Sequence, residues 1–111
     1  MKKSALLLIS VFMGLFFASY AVAHTPFCWC SDRGDGTVLC EGGFLDRSSP
    51  VGVKIQVVDA NGKILVDGKM NEESEFTFKK PSGEYTVIFD AGFEHTVIVP
   101  SSEITVDSQT R

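Results

Sequence analysis

The 111-residue chain has no glycine-rich phosphate loop, no Ser-His-Asp order and no carboxylate pair that can be assigned to one cleft. Catalysis therefore has no support in the sequence, and the protein is not expected to be an enzyme. It also lacks a basic excess: 10 Lys and Arg face 14 Asp and Glu, for a formal charge of −4. That balance argues against nucleic acid as a partner. Internal repeats, low-complexity linkers and amphipathic helical periodicity are all missing. Histidine is scarce, with two residues, tryptophan occurs once, and cysteine occurs three times. Each of these few residues therefore carries weight in any functional reading.

What is present begins with a leader pattern. Lys2 and Lys3 precede an apolar run from Ala5 to Phe17, and Ala21-Val22-Ala23 supplies the small-x-small pattern of a signal-peptidase site. The run is interrupted by Ser10, Gly14 and Ser19 and is shorter than the roughly 20 apolar residues that span a bilayer. No Cys follows it, so a lipoprotein anchor is not expected. Cleavage would leave a chain starting at His24 with 8 basic and 14 acidic residues, a charge of −6, located in the periplasm or outside the cell and not spanning a membrane. The expected organisation is a signal peptide over 1–23, a cysteine-containing segment with a first strand over 24–51, a β-sandwich core over 52–106 and a flexible tail over 107–111. A domain of this size buries only roughly 60 to 65 % of its unfolded surface, so a disulfide or a metal would be a useful supplement.

Beyond a polar amino-terminal stretch, Thr37 to Cys40 is a short β-prone run followed by Gly42-Gly43. Val53 to Asp59 alternates apolar and polar with period two, the pattern of a half-buried strand. Asn61-Gly62 suits a type I′ hairpin turn, with Lys63 to Val66 returning as the partner strand. Glu75 to Lys79 places Phe76 and Phe78 on one face, and Glu84 to Asp90 places Tyr85, Val87 and Phe89 on one face. His95 to Val99 follows after a tight connection and is closed by Pro100. Six or seven strands with short connections predict an all-β fold, a small antiparallel two-sheet sandwich of transthyretin-like or Ig-like type.

The stretches Gly52 to Asp59, Gly62 to Leu65, Phe76 to Pro81 and Gly83 to Val87 resemble the carboxypeptidase-regulatory-like and collagen-adhesin B-type modules, which have a transthyretin-like sandwich fold. The resemblance extends from Gly52 to Val99 and departs at Asn71-Glu72-Glu73-Ser74, where those modules often carry a Gly. Asp90-Ala91-Gly92-Phe93-Glu94-His95 looks like the Ala-Gly-x-Gly-His element of periplasmic accessory proteins of cobalt and nickel transporters, with Glu94 in place of the second Gly. The resemblance implies a metal-related role at the outer face of an uptake system, with a membrane metal transporter as partner.

His24 would be the first residue of the processed chain, where a terminal histidine offers an amine and an imidazole together. An α-amine titrates near ~7.7 and an imidazole near ~6.5, so a metal can displace the amine proton close to neutral pH. Pro26 has no amide N–H, which prevents consecutive backbone nitrogens from wrapping the ion beyond Thr25. A histidine brace completed by His95 is the arrangement left, and nitrogen ligands favour Cu(II) or Ni(II) over calcium or magnesium. Taken singly, His24 is as readily a solvated residue and His95 a half-exposed one at a strand start.

Cys28 and Cys30 follow His24 closely, and Cys40 comes ten residues after Cys30. Thiolates with imidazoles suit Cu(I) and Zn(II), making Cys28 and Cys30 candidate metal ligands beside His24 and His95. An oxidising compartment would instead join Cys28 or Cys30 to Cys40, because a Cys-x-Cys ring is strained, and would leave one thiol over. Trp29 either screens a thiol or packs on the sandwich edge. Asp32-Arg33-Gly34-Asp35-Gly36 has acid spacing like a calcium loop but lacks the later ligands, and reads as a hairpin turn. Two functions are expected from these residues. The first is a metal-binding carrier or transport accessory for copper, nickel or cobalt; the second is a disulfide-stapled structural or interaction module that needs no metal.

Overall fold

The computed structural model describes residues 24–92 and 94–106, so the expected leader over 1–23 and the tail from Asp107 lie outside the described residues. Seven strands are formed: β1 (Pro26–Asp32), β2 (Thr37–Phe44), β3 (Lys54–Asp59), β4 (Ile64–Lys69), β5 (Glu75–Lys79), β6 (Tyr85–Asp90) and β7 (Thr96–Pro100), with a 3-10 turn at Ser101–Glu103. They make two antiparallel sheets, one in the order β1-β2-β5 and the other β4-β3-β6-β7. The protein is thus a small antiparallel two-sheet β-sandwich.

Two features of residues 24–51 differ from the sequence reading. The polar amino-terminal stretch contains a full strand, β1, so residues 24–51 supply two of the three strands of one sheet. Its alternation is inverted: Cys28, Cys30 and Asp32 face inward while Phe27 and Trp29 are exposed, so the usual apolar-inside signal is missing. The other difference is β2, which runs through Gly42-Gly43 rather than ending there. Gly42 lies beneath the ring of Phe89, and a methyl at that position would come 2.7 Å from Phe89 Cε2. The absence of a side chain is what lets the two sheets close at this point.

The β3–β4 hairpin forms, but without the type I′ turn expected at Asn61-Gly62. Asp59 N–H donates to Lys63 O at 2.9 Å and Gly62 N–H donates to Asp59 O at 3.0 Å, making a three-residue loop. Only Gly62, at φ 84, is left-handed there. Asp59 Oδ1 accepts the amides of Asn61 and Lys63, both at 2.9 Å, and this side-chain clamp holds the chain in the other common hairpin geometry. Asp35 does similar work in the β1–β2 turn, accepting the Thr37 amide at 3.0 Å and its hydroxyl at 2.5 Å. The acid spacing from Asp32 to Gly36 thus serves a hairpin.

The core is Val38 and Cys40 from β2, Ile55 and Val57 from β3, Phe78 from β5, Tyr85, Val87 and Phe89 from β6, and Val99 from β7, with Met70 beside them. Phe78 of one sheet meets Tyr85 of the other edge-to-face, with centroids 5.9 Å apart and planes at 82°. Such pairs add roughly 0.5–1.5 kcal/mol beyond burial. Asp32 is the one buried charged residue among the described residues. Its Oδ2 receives Lys80 Nζ at 2.7 Å, its Oδ1 receives the Gly34 amide at 2.9 Å, and its own N–H donates to Thr105 O at 2.9 Å. This last bond returns the segment after β7 to the edge of β1, tying one sheet to the other.

Two outcomes test this packing. Gly42→Ala should destabilise the domain by about 1–3 kcal/mol, read as a lowered urea midpoint, because the Phe89 ring has no free space to move into. The Lys80 hydrogen bond, then the Gly34 amide, holds the Asp32 carboxyl below its ordinary 3.8. The associated stability is present above that value and is lost as pH falls through the lower folded-state value. Urea midpoints measured from about pH 5 to about pH 2 should therefore fall less steeply in Asp32→Asn than in the parent chain.

Candidate metal centre

His24 lies in the turn just before β1, where Thr25 O accepts the Leu45 amide at 2.9 Å and extends the β1–β2 pairing beyond the strands. The chain reverses after Phe44 through Arg47, at φ 68, whose N–H donates to Phe44 O at 3.0 Å. The reversal brings Asp46 Oδ2 to 3.0 Å from His24 Nδ1. Phe44 supports the imidazole edge-on, with centroids 6.4 Å apart, and itself leans on core Phe89 at 6.3 Å. Asp46 Oδ1 also accepts the Ser48 hydroxyl at 2.6 Å and the Ser48 amide at 3.0 Å. The Ser48 hydroxyl, followed by that amide and by the charge of His24, holds the Asp46 carboxyl below its ordinary range.

His95 arrives from the opposite sheet. The β6–β7 connection is closed by Ala91 N–H to His95 O and His95 N–H to Gly92 O, both at 3.0 Å, with the Gly92 amide bound to Asp90 Oδ1 at 3.0 Å. Gly92 has φ 113 and Glu94 has φ 62. Glu94 thus holds a left-handed conformation that suits glycine.

The two histidines border the same pocket. His24, Thr25, Pro26, Glu94 and His95 line one open surface pocket of 240 Å³. Two imidazoles and a carboxylate are suitable donors for a borderline transition ion. They are not gathered tightly: no group of three or more His, Cys, Asp or Glu side chains close enough to hold a metal occurs among the described residues.

The Asp46 contact alters the expected brace. A carboxylate only accepts, so His24 Nδ1 carries the proton in this contact, and Nε2 is the ring nitrogen left for a metal. Chelation through the amine and Nδ1 would have to break the bond to Asp46. Ligation through Nε2 keeps it, with Asp46 fixing the tautomer and the orientation of the ring.

The cysteines take no part in the pocket. Cys30 is bonded to Cys40 and has no thiolate to offer, which removes it from the expected ligand set. The register shows why this pair was chosen over Cys28–Cys40. Cys30 stands directly opposite Cys40, whereas Cys28 stands opposite Gly42. Arg33 N–H to Thr37 O and Leu45 N–H to Thr25 O place the hydrogen-bonded pairs at odd positions of β1. Cys30 and Cys40 therefore occupy the closer, non-bonded type of pair, with Cα atoms 4.0 Å apart. Cys28 is the remaining thiol, packed against the core, and burial pushes it up to about 11. It is protonated at neutral pH and is a poor ligand there. Trp29 does not screen that thiol: it lies on the opposite face of the edge strand β1 and is 49 % exposed.

Neither Asp46 nor Glu94 was among the expected site residues. Asp46-Arg47-Ser48 carries a recognisable Asx-turn signal, but nothing in its spacing linked it to His24. In comparisons with known proteins the chain has no significant match to a family model, to a curated protein or to a solved structure. The Cys30–Cys40 bond is compatible with an oxidising compartment outside the cytoplasm. No helix among the described residues is long and apolar enough to cross a membrane.

The bond and thiol assignments give a direct measurement. Unfolding without reductant should expose one titratable thiol, and a non-reducing peptide map should join Cys30 to Cys40. Replacing both with alanine should cost about 3 kcal/mol, the value for closing a loop of this size, whereas Cys28→Ala should leave the bond intact. A map joining Cys28 to Cys40 would contradict the β1–β2 register.

Proposed function

We propose that the chain is a small periplasmic or secreted metal-binding protein, a carrier or transport accessory for copper, nickel or cobalt, and that His24 and His95 hold the ion. One observation carries the reading: the only two histidines of the chain, one from each end of the described sequence, line the same pocket. The contact of His24 Nδ1 with Asp46 adds to it, since a carboxylate behind an imidazole is the usual outer-shell support of a histidine ligand. His24 would contribute Nε2 and His95 its imidazole. Processing after Ala23 would free an amine beside them, and water would complete the set. The mixture of imidazole and amine suits Cu(II) best, then Ni(II) and Co(II), following the general affinity order for such donors. The likeness of the β6–β7 loop to the cobalt and nickel accessory element points in the same direction, with a membrane metal transporter as the partner.

Calorimetric titration of the processed protein with Cu(II), Ni(II), Co(II) and Zn(II) tests the assignment. One ion per chain should bind, and His24→Ala and His95→Ala should each abolish stoichiometric binding. Asp46→Asn should weaken binding by about 10- to 100-fold, and Cys28→Ala should leave it unchanged. Equal affinity in His95→Ala and the parent chain would remove the pocket from the explanation.

A further inference from the structure

The outer face of the β1-β2-β5 sheet carries a second arrangement that the metal reading does not use. Phe27 and Trp29 stand two residues apart on β1, 40 % and 49 % exposed. Phe27 is opposite Gly43, and a methyl on that glycine would come 2.7 Å from Phe27 Cζ, so the ring lies over the sheet surface where a side chain is missing. Beside this aromatic pair, Trp29, Glu41 and Glu75 form one row straight across the three strands.

The pairing pattern makes the two glutamates close neighbours. Gly42 N–H donates to Ser74 O at 3.2 Å and Lys80 N–H to Gly36 O at 2.9 Å, which places the hydrogen-bonded β2–β5 pairs at even positions of β2. Glu41 and Glu75 thus fall at a non-bonded pair, where facing side chains are nearest. Like charges directly opposite one another destabilise a sheet. Both residues are only partly exposed, and neither has an ion-pair partner among the described residues. The other sheet handles its outer charges differently, with Lys54 placed opposite Asp90.

We propose that this face docks a basic segment of a partner protein, with a Lys or Arg side chain seated on Trp29 and its charge between Glu41 and Glu75. The occupant follows from charge complementarity. Two adjacent carboxylates without a counter-ion attract a cation, and an indole face beside them adds a cation–π contact for which guanidinium is especially suited. The surface is independent of the His24 and His95 pocket and stands or falls separately from it.

Trp29 is the chain's only tryptophan, so its fluorescence reports this face alone. The test is titration of the processed protein with a synthetic hexa-arginine peptide, followed by Trp29 emission and by calorimetry. Saturable binding with a change in emission is expected. Glu41→Gln with Glu75→Gln should weaken it at least tenfold while raising the melting temperature, and Trp29→Ala should weaken it by calorimetry. Glu72→Gln with Glu73→Gln removes the same charge elsewhere and should change affinity less than twofold. Equal loss in the two double variants, or binding that leaves Trp29 emission unchanged, would reduce the effect to net charge and overturn the proposal. A concentration-dependent dimer abolished by Trp29→Ala would overturn it in favour of a second copy of the chain.

Discussion

The register of β1 on β2, locked where Cys30 faces Cys40, is the constraint on which the rest of the structure depends. A shift of one residue would turn every side chain of β1 to the other face, because the strand period is two. With this register, Cys28 and Asp32 go inward, Phe27 and Trp29 go outward, and the turn carrying His24 is brought to the β6–β7 loop of the opposite sheet. The disulfide therefore does more than restrict the unfolded chain. It selects the pairing from which both the histidine-lined pocket and the aromatic face follow.

The sandwich closes around that hairpin through complementary shapes. Gly42 makes room for Phe89, Phe89 supports Phe44, and Phe44 stands against the ring of His24. A continuous packed path thus runs from the centre of the core to the rim of the pocket. Asp46 sets the other side of the same imidazole, so the orientation of His24 is determined by packing on one side and by a hydrogen bond on the other. Such double support is what a ligand residue needs to keep its geometry. The opposite rim depends on Glu94 holding a left-handed backbone conformation.

Strands β3, β5, β6 and β7 were legible because apolar residues alternate there in the usual sense, with Ile55, Val57, Phe78, Tyr85, Val87 and Phe89 inside, whereas β4 was read from the turn signal before it. β1 was not legible, since its inward positions hold cysteine and aspartate while its aromatics face out. The Gly42-Gly43 pair read as an ending for a similar reason: a glycine that relieves a close approach looks, in one dimension, like a glycine that makes a turn. His24 and His95 could be nominated from their scarcity and position, but Asp46 could not, because its contact with His24 depends on a chain reversal at Arg47.

By itself the sequence determined the class of fold, the number and approximate limits of most strands, the hairpin at Asp32 to Gly36, and the short list of residues able to bind a metal. These are matters of local periodicity and side-chain chemistry, which are properties of neighbours along the chain. Only the tertiary structure decided which cysteine joins Cys40, which nitrogen of His24 faces outward, that His24 and His95 share a pocket, and that Glu41 lies against Glu75. Each of those depends on which strands pair and in what register. That choice is settled by the packing of side chains far apart in sequence, and no short window of residues contains it.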